Sequence, residues 1–187
     1  DADGERRSLR RAIVPRLGQL GTPLEVIAED VLGEEDGAID WVAAAADGRA
    51  FVVLVAGGTG DAALLQAGLV QRAWVEARIP DWRKLAPSLA VREEPPPRLL
   101  LIARDFDRAT RIAAREAAGA AIVLARWRFA GTTGEVDLQR LEPEPRVGRD
   151  LPAPVPTAAS AFPVSTSTCA VLIRAAANVG LRSTALA

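Results

Sequence analysis

The chain has 187 residues and a mass of 19.7 kDa, with 24 acids against 23 bases and a net charge of −1. A near-neutral balance excludes the whole-chain basic field that drives non-specific nucleic-acid binding. The absence of His excludes a Ser-His-Asp triad, a histidine zinc site and a His general base. A single cysteine, Cys169, excludes a thiolate zinc cluster, a CxxC redox pair and an internal disulfide. Lys84 is the sole lysine, so any mechanism needing a lysine must use that one; carboxylates, arginines, hydroxyls and backbone are what else remains. Hydrophobic residues make up 49% of the chain, enough for a core, yet no apolar run approaches the ~20 residues of a membrane span. Asp1 to Arg11 is charged throughout, unlike a secretory leader. A soluble, cytoplasmic protein with no membrane partner is the expectation.

Residues 1–21 are polar and Arg-rich, with Leu9, Ile13, Val14 and Leu17 at helical spacing and Pro15 interrupting them. This predicts a short or kinked helix. Thr22-Pro23 resembles a helix start, with Leu24, Ile27, Ala28 and Val31 as a buried stripe and Gly33 as the stop. Two apolar runs, Ala38 to Ala46 and Arg49 to Ala56, meet at Asp47-Gly48, which predicts a hairpin. Phe51 to Val55 is apolar at every position, as in a central strand buried on both faces. Gly57-Gly58-Thr59-Gly60 then leads into a helix over Asp61 to Ala77. A short helix or loop over 80–89 and the connector Glu93-Glu94-Pro95-Pro96-Pro97 follow. Arg98 to Ala103 predicts a buried strand, and Asp105 or Asp107 caps a helix running to Ala118. Ala121 to Phe129 and an edge-like Val136 to Leu141 are the last strands. Residues 143–187 are rich in Pro, Ala, Ser and Thr and read as a tail, with one terminal helix over Ala170 to Val179. The predicted fold is α/β, a mixed sheet flanked by helices over 22–142 with this C-terminal tail.

One constellation carries a resemblance. Asp40 stands on the first hairpin strand, Leu54-Val55-Ala56 ends the next, and Gln66 lies on the helix after it. This arrangement resembles the PD-(D/E)xK nuclease superfamily, the restriction-endonuclease-like fold, and within it the NucS-like branch. The resemblance spans Thr22 to Phe129. It implies that Asp40 is the strand acid, Glu25 or Glu29 the helix acid and Gln66 the helix amide around a divalent cation, with Asp40 as the metal ligand. Leu54 and Ala56 stand where the family has its Glu and Lys. Neither can ligate Mg²⁺ or donate to a phosphate, so Mg²⁺ is implied only if activity persists.

Two further features stand beside it. Val55 to Asp61 runs from strand through glycine turn to helix, as a phosphate-binding turn does, though Asp61 would repel an anion. Arg104, Arg108, Arg111 and Arg115 recur at helical spacing, and Arg126 and Arg128 alternate around Trp127. Together these six form a candidate phosphate-contacting surface against DNA, with a solvated helix face as the plain alternative. The functional expectation is a catalytically inactive nuclease-fold module that binds nucleic acid or a protein. An active nuclease with migrated catalytic residues and a structural domain dimerising through its edge strand are the alternatives.

Overall fold

The computed structural model describes residues 2–34, 37–118, 122–130 and 135–142. The expected tail over 143–187 and its terminal helix lie outside the described residues. Six strands form one mixed sheet in the order β1-β2-β3-β5-β7-β8. They are β1 (Leu24–Leu32), β2 (Ala38–Ala45), β3 (Ala50–Val55), β5 (Arg98–Ala103), β7 (Ile122–Ala130) and β8 (Glu135–Arg140). The two-residue strands β4 (Thr59–Gly60) and β6 (Asp105–Phe106) pair with each other apart from this sheet. Helices α1 (Ala2–Ile13), α2 (Ala62–Glu76), α3 (Ile79–Leu85) and α4 (Arg108–Ala118) complete the described elements, with 3-10 turns at Val14–Leu20 and Pro87–Leu89.

Strand β3 pairs in parallel with β5, and β5 with β7. The crossovers carry α2 and α4, and apolar residues of both helices pack into one core layer: Leu65 and Val75 of α2, Ala114 of α4, with Val52, Leu99 and Leu101. The opposite layer is built by Leu9 and Ile13 of α1, Leu17 and Leu20 of the turn after it, and Phe51, Val53, Leu100 and Ile102. Alternate residues of β3 therefore feed opposite layers, and all six are buried. This is why the run is apolar without a gap.

Helix α1 ends where Val14-Pro15 tightens the backbone into a 3-10 turn. The hairpin forms at Asp47-Gly48, where Gly48 has φ +81° and its amide donates to the Ala45 carbonyl at 2.9 Å. Asp107 caps α4 by accepting from the Thr110 amide at 2.7 Å, which settles the choice between the two predicted caps.

The expected helix over 22–33 is strand β1, antiparallel to β2. Its register slips between Val26 and Ala28, and Asp30 adopts a positive φ of +52°. The slip shifts the two-residue alternation by one place. The apolar residues of β1 thus divide between the faces, Leu24 and Val26 against the α1 layer and Ile27, Ala28 and Val31 against the α2 layer, at spacings that also fit a helix. Glu25 and Glu29 accordingly sit on an edge strand, not on a helix.

The hairpin turn depends on one residue. A Cβ on Gly48 would lie 2.4 Å from the Ala90 carbonyl oxygen, in a backbone region L-residues rarely adopt. Gly48→Ala is expected to cost about 2 kcal/mol in a urea titration, with the slope unchanged.

Candidate functional site

Sequence neighbours of Asp40 explain its burial. Ile39 and Val42 pack in the layer beneath α2, while Trp41 packs in the layer beneath α1. Alternation slips at this point of β2, and Asp40 meets α1. Its carboxylate is fully buried, with 0% exposure. Arg6 Nη2 donates to Oδ1 at 3.1 Å and to Oδ2 at 3.2 Å. Arg10 Nη1 donates to Oδ1 at 3.1 Å. The Val55 amide donates to Oδ2 at 2.6 Å. The paired β2–β3 register ends at Trp41 opposite Val53, so this carboxylate supplies the acceptor for the next strand amide.

Arg10 is itself doubly held. It also pairs with Asp30, and its guanidinium lies 6.0 Å from the Trp41 ring centroid. Burial works against its charge, yet Asp30 and Asp40 together raise its pKa above the ordinary arginine value. Arg6 is 46% exposed at its side chain and Arg10 12%, so Arg10 is the inner clamp and Arg6 the outer one.

The other residues named for a cation site do not join Asp40. Glu25 is exposed opposite Ala44, about 13 Å along β2 from Asp40 at ordinary strand rise. Glu29 is exposed opposite Trp41, in a shallow hollow that it shares with Asp30, Arg7, Arg10 and Arg11. Gln66 is exposed on α2. The buried amide of that helix is instead Gln71, which donates to the Glu34 carbonyl and accepts from the Glu34 amide. Leu54 is buried in the layer beneath α2. Among the described residues, no three of His, Cys, Asp or Glu come together. A divalent cation does not fit this donor set, because Asp40 spends its lone pairs on two guanidiniums and an amide, and Leu54 and Ala56 offer no side-chain oxygen.

Beside Asp40 an open groove of about 1170 Å³ lies over the carboxyl ends of β3 and β7. Its walls include Arg6 and Leu9 of α1, Ala56, Arg104, Trp127 and Phe129. Trp127 Nε1 donates to the Ala56 carbonyl at 3.0 Å, and the Arg104 guanidinium lies 5.4 Å from the Trp127 ring centroid. Phe129 packs edge-on against Trp127 at 5.3 Å while remaining 57% exposed. The groove thus presents Arg6, which is paired with Asp40, and Arg104 beside an aromatic pair, with the exposed Glu5 also on its wall, outside the carboxyl ends of parallel strands.

Of the six predicted arginines, Arg104 stands apart from the others. Arg104 precedes α4 and faces this groove. Arg108, Arg111 and Arg115 are on α4, across the sheet from α1. Arg115 pairs with Glu116. Arg126 donates from Nε to Gln139 at 2.9 Å, and Arg128 is exposed opposite Asp137 on β8. The glycine turn is also used internally. Thr59 and Gly60 pair with β6, and Asp61 accepts the Leu64 amide at the start of α2.

Sequence reading missed the arginines of α1. Arg6, Arg7, Arg10 and Arg11 were visible as a basic run, but nothing local tied Arg6 and Arg10 to an acid 30 or more residues away. The usable signal was an Asp inside an otherwise apolar strand, which needs buried partners.

No protein-family model and no curated protein matches this chain. Solved structures similar to it include an EndoMS complex with double-stranded DNA, at 12% identity over 60% of this chain and 41% of that one, with a TM-score of 0.37. A repair endonuclease from Pyrococcus abyssi is similar at 14% identity over 63% of this chain and 44% of that one, with a TM-score of 0.36. The chain spans less than half the length of either. A likeness this low says nothing of what the chain binds or does.

Asp40→Asn removes the charge that both guanidiniums share. It is expected to cost about 3 kcal/mol of stability, since breaking a buried pair strands its partners. Arg10→Met should cost more than Arg6→Met, in line with their exposures. Equal losses in chemical denaturation would contradict the inner and outer clamp.

Proposed function

We propose that this domain is a nuclease-like fold that binds nucleic acid without cleaving it. The observation that carries the reading is the state of Asp40. The strand acid of the candidate cation site is buried, charge-paired with two arginines and hydrogen-bonded by the Val55 amide. Two guanidiniums stand where a cation would supply positive charge. They neutralise the carboxylate but provide no exchangeable water to attack a phosphodiester. The hairpin leading into a parallel pair through a helix, with Asp40 held against Val55, supports the nuclease-like assignment.

Binding is supported by the groove. Arg6 and Arg104 offer phosphate contacts, and the exposed face of Phe129 offers a stacking platform. Such a pairing of cation and aromatic suits unpaired nucleotides, whose bases are free to stack. The basic residues are local, which is compatible with a net charge of −1.

The test uses labelled single- and double-stranded oligonucleotides titrated across salt, with and without Mg²⁺ or Mn²⁺. The expectation is affinity that falls steeply with salt, no cleavage, and preference for the single strand. Arg104→Gln should weaken binding five- to tenfold and flatten the salt slope by about one unit. Phe129→Ala should weaken it about tenfold with the slope unchanged. Metal-dependent cleavage lost in Asp40→Ala would instead establish an active nuclease. Binding absent at every salt concentration would leave a scaffold.

A further inference from the structure

A second basic cluster lies at the opposite end of the sheet, where β3 and β5 begin. Arg98 opens β5 and is paired with Phe51, and Arg49 lies two residues before Phe51. Arg72 reaches the same corner from α2. Three consecutive residues gather these side chains. Arg49 Nε donates to the Pro96 carbonyl at 3.1 Å, Arg72 Nε donates to the Pro97 carbonyl at 2.8 Å, and Arg98 follows directly. The Arg98 Nε is buried and has no hydrogen-bond partner among the described residues.

The charges do not cancel locally. Glu76 pairs with Arg72 at 3.6 Å, and exposed Asp47 acts on Arg49. Glu93 is engaged elsewhere, with Arg83. Burial first, and then the like charge of Arg98, lowers the Arg49 pKa; Asp47 opposes this, and Arg72 adds to the lowering. Three guanidiniums stand against two acids, with one buried donor unused. Such repulsion is relieved by an anion, and guanidinium forks match the oxygens of a tetrahedral oxyanion.

We infer that Arg49, Arg72 and Arg98 form an anion site for a phosphate group, separate from the groove. Six-residue strands at ordinary rise separate the two by about 20 Å. The phosphate could come from a free inorganic ion or from a nucleic-acid backbone. Both present the same oxygens, so the sources are separated by experiment.

The full chain is titrated with inorganic phosphate and with pyrophosphate, against sodium chloride at matched ionic strength. Thermal unfolding and calorimetric binding are the readouts. The expected result is a midpoint rise of about 3 °C at ten times the dissociation constant. Arg98→Gln and Arg49→Gln should each weaken phosphate binding at least tenfold, while Arg104→Gln leaves it unchanged. Either folded variant serves if the other does not fold. A shift with inorganic phosphate identifies the free ion as sufficient. Where only a single-stranded oligonucleotide shifts the midpoint, a reduced shift that remains in Arg104→Gln and disappears when Arg98→Gln or Arg49→Gln is added to it identifies the backbone. No shift with phosphate or pyrophosphate together with an oligonucleotide shift that neither added variant changes, or a phosphate shift that survives in both variants, or a phosphate shift lost in Arg104→Gln, overturns the site.

Discussion

A carboxylate with no access to water needs compensation for its lost hydration, and the arrangement around Asp40 supplies it. An unpaired buried charge would cost several kcal/mol. Arg6 and Arg10 restore the charge balance, and the Val55 amide uses a lone pair that would otherwise point at hydrocarbon. Three separate elements are tied by this contact: α1, β2 and the end of β3. The site's chemistry follows from the same requirement, since an acid satisfied by protein donors is not available to a hard cation.

The rest of the architecture places that contact beside a groove. Parallel pairing of β3, β5 and β7 sends their carboxyl ends to one side, and the crossovers put α2 and α4 on one face. Helix α1 covers the opposite face, so its Arg6 serves both the buried carboxylate and the groove wall. Arg104 and Phe129 arrive from two separate strand ends, held by Trp127. The opposite end of the sheet collects Arg49, Arg72 and Arg98 around the carbonyls of Pro96 and Pro97. A nearly neutral chain thereby carries arginines at both ends of its sheet.

Strong local signals made much of the sheet legible. The unbroken apolar run of β3, the Asp-Gly hairpin, the β5 run and the Asp cap of α4 all act within a few residues. Strand β1 was hidden because its bulges carry the alternation out of phase, producing helix-like spacing. The site was legible in one residue, Asp40, an acid inside an otherwise apolar strand. Its partners were not legible, since hydrogen bonds spanning 30 and 34 residues leave no periodic trace. Among the six arginines read as one surface, Arg104 parts from α4 for a related reason. Helical spacing placed Arg104 with α4, but β6 intervenes and turns Arg104 toward the groove.

The sequence by itself determined the mixed α/β class and the position of the central strands. Those follow from residue types and from apolar periodicity, which act locally. Only the tertiary structure decided that Asp40 is neutralised by α1, that Glu25, Glu29 and Gln66 stand away from it, and that arginines gather at both ends of the sheet. Pairing of charges depends on which elements pack together, and packing is settled by burial of whole faces rather than by any short stretch of chain.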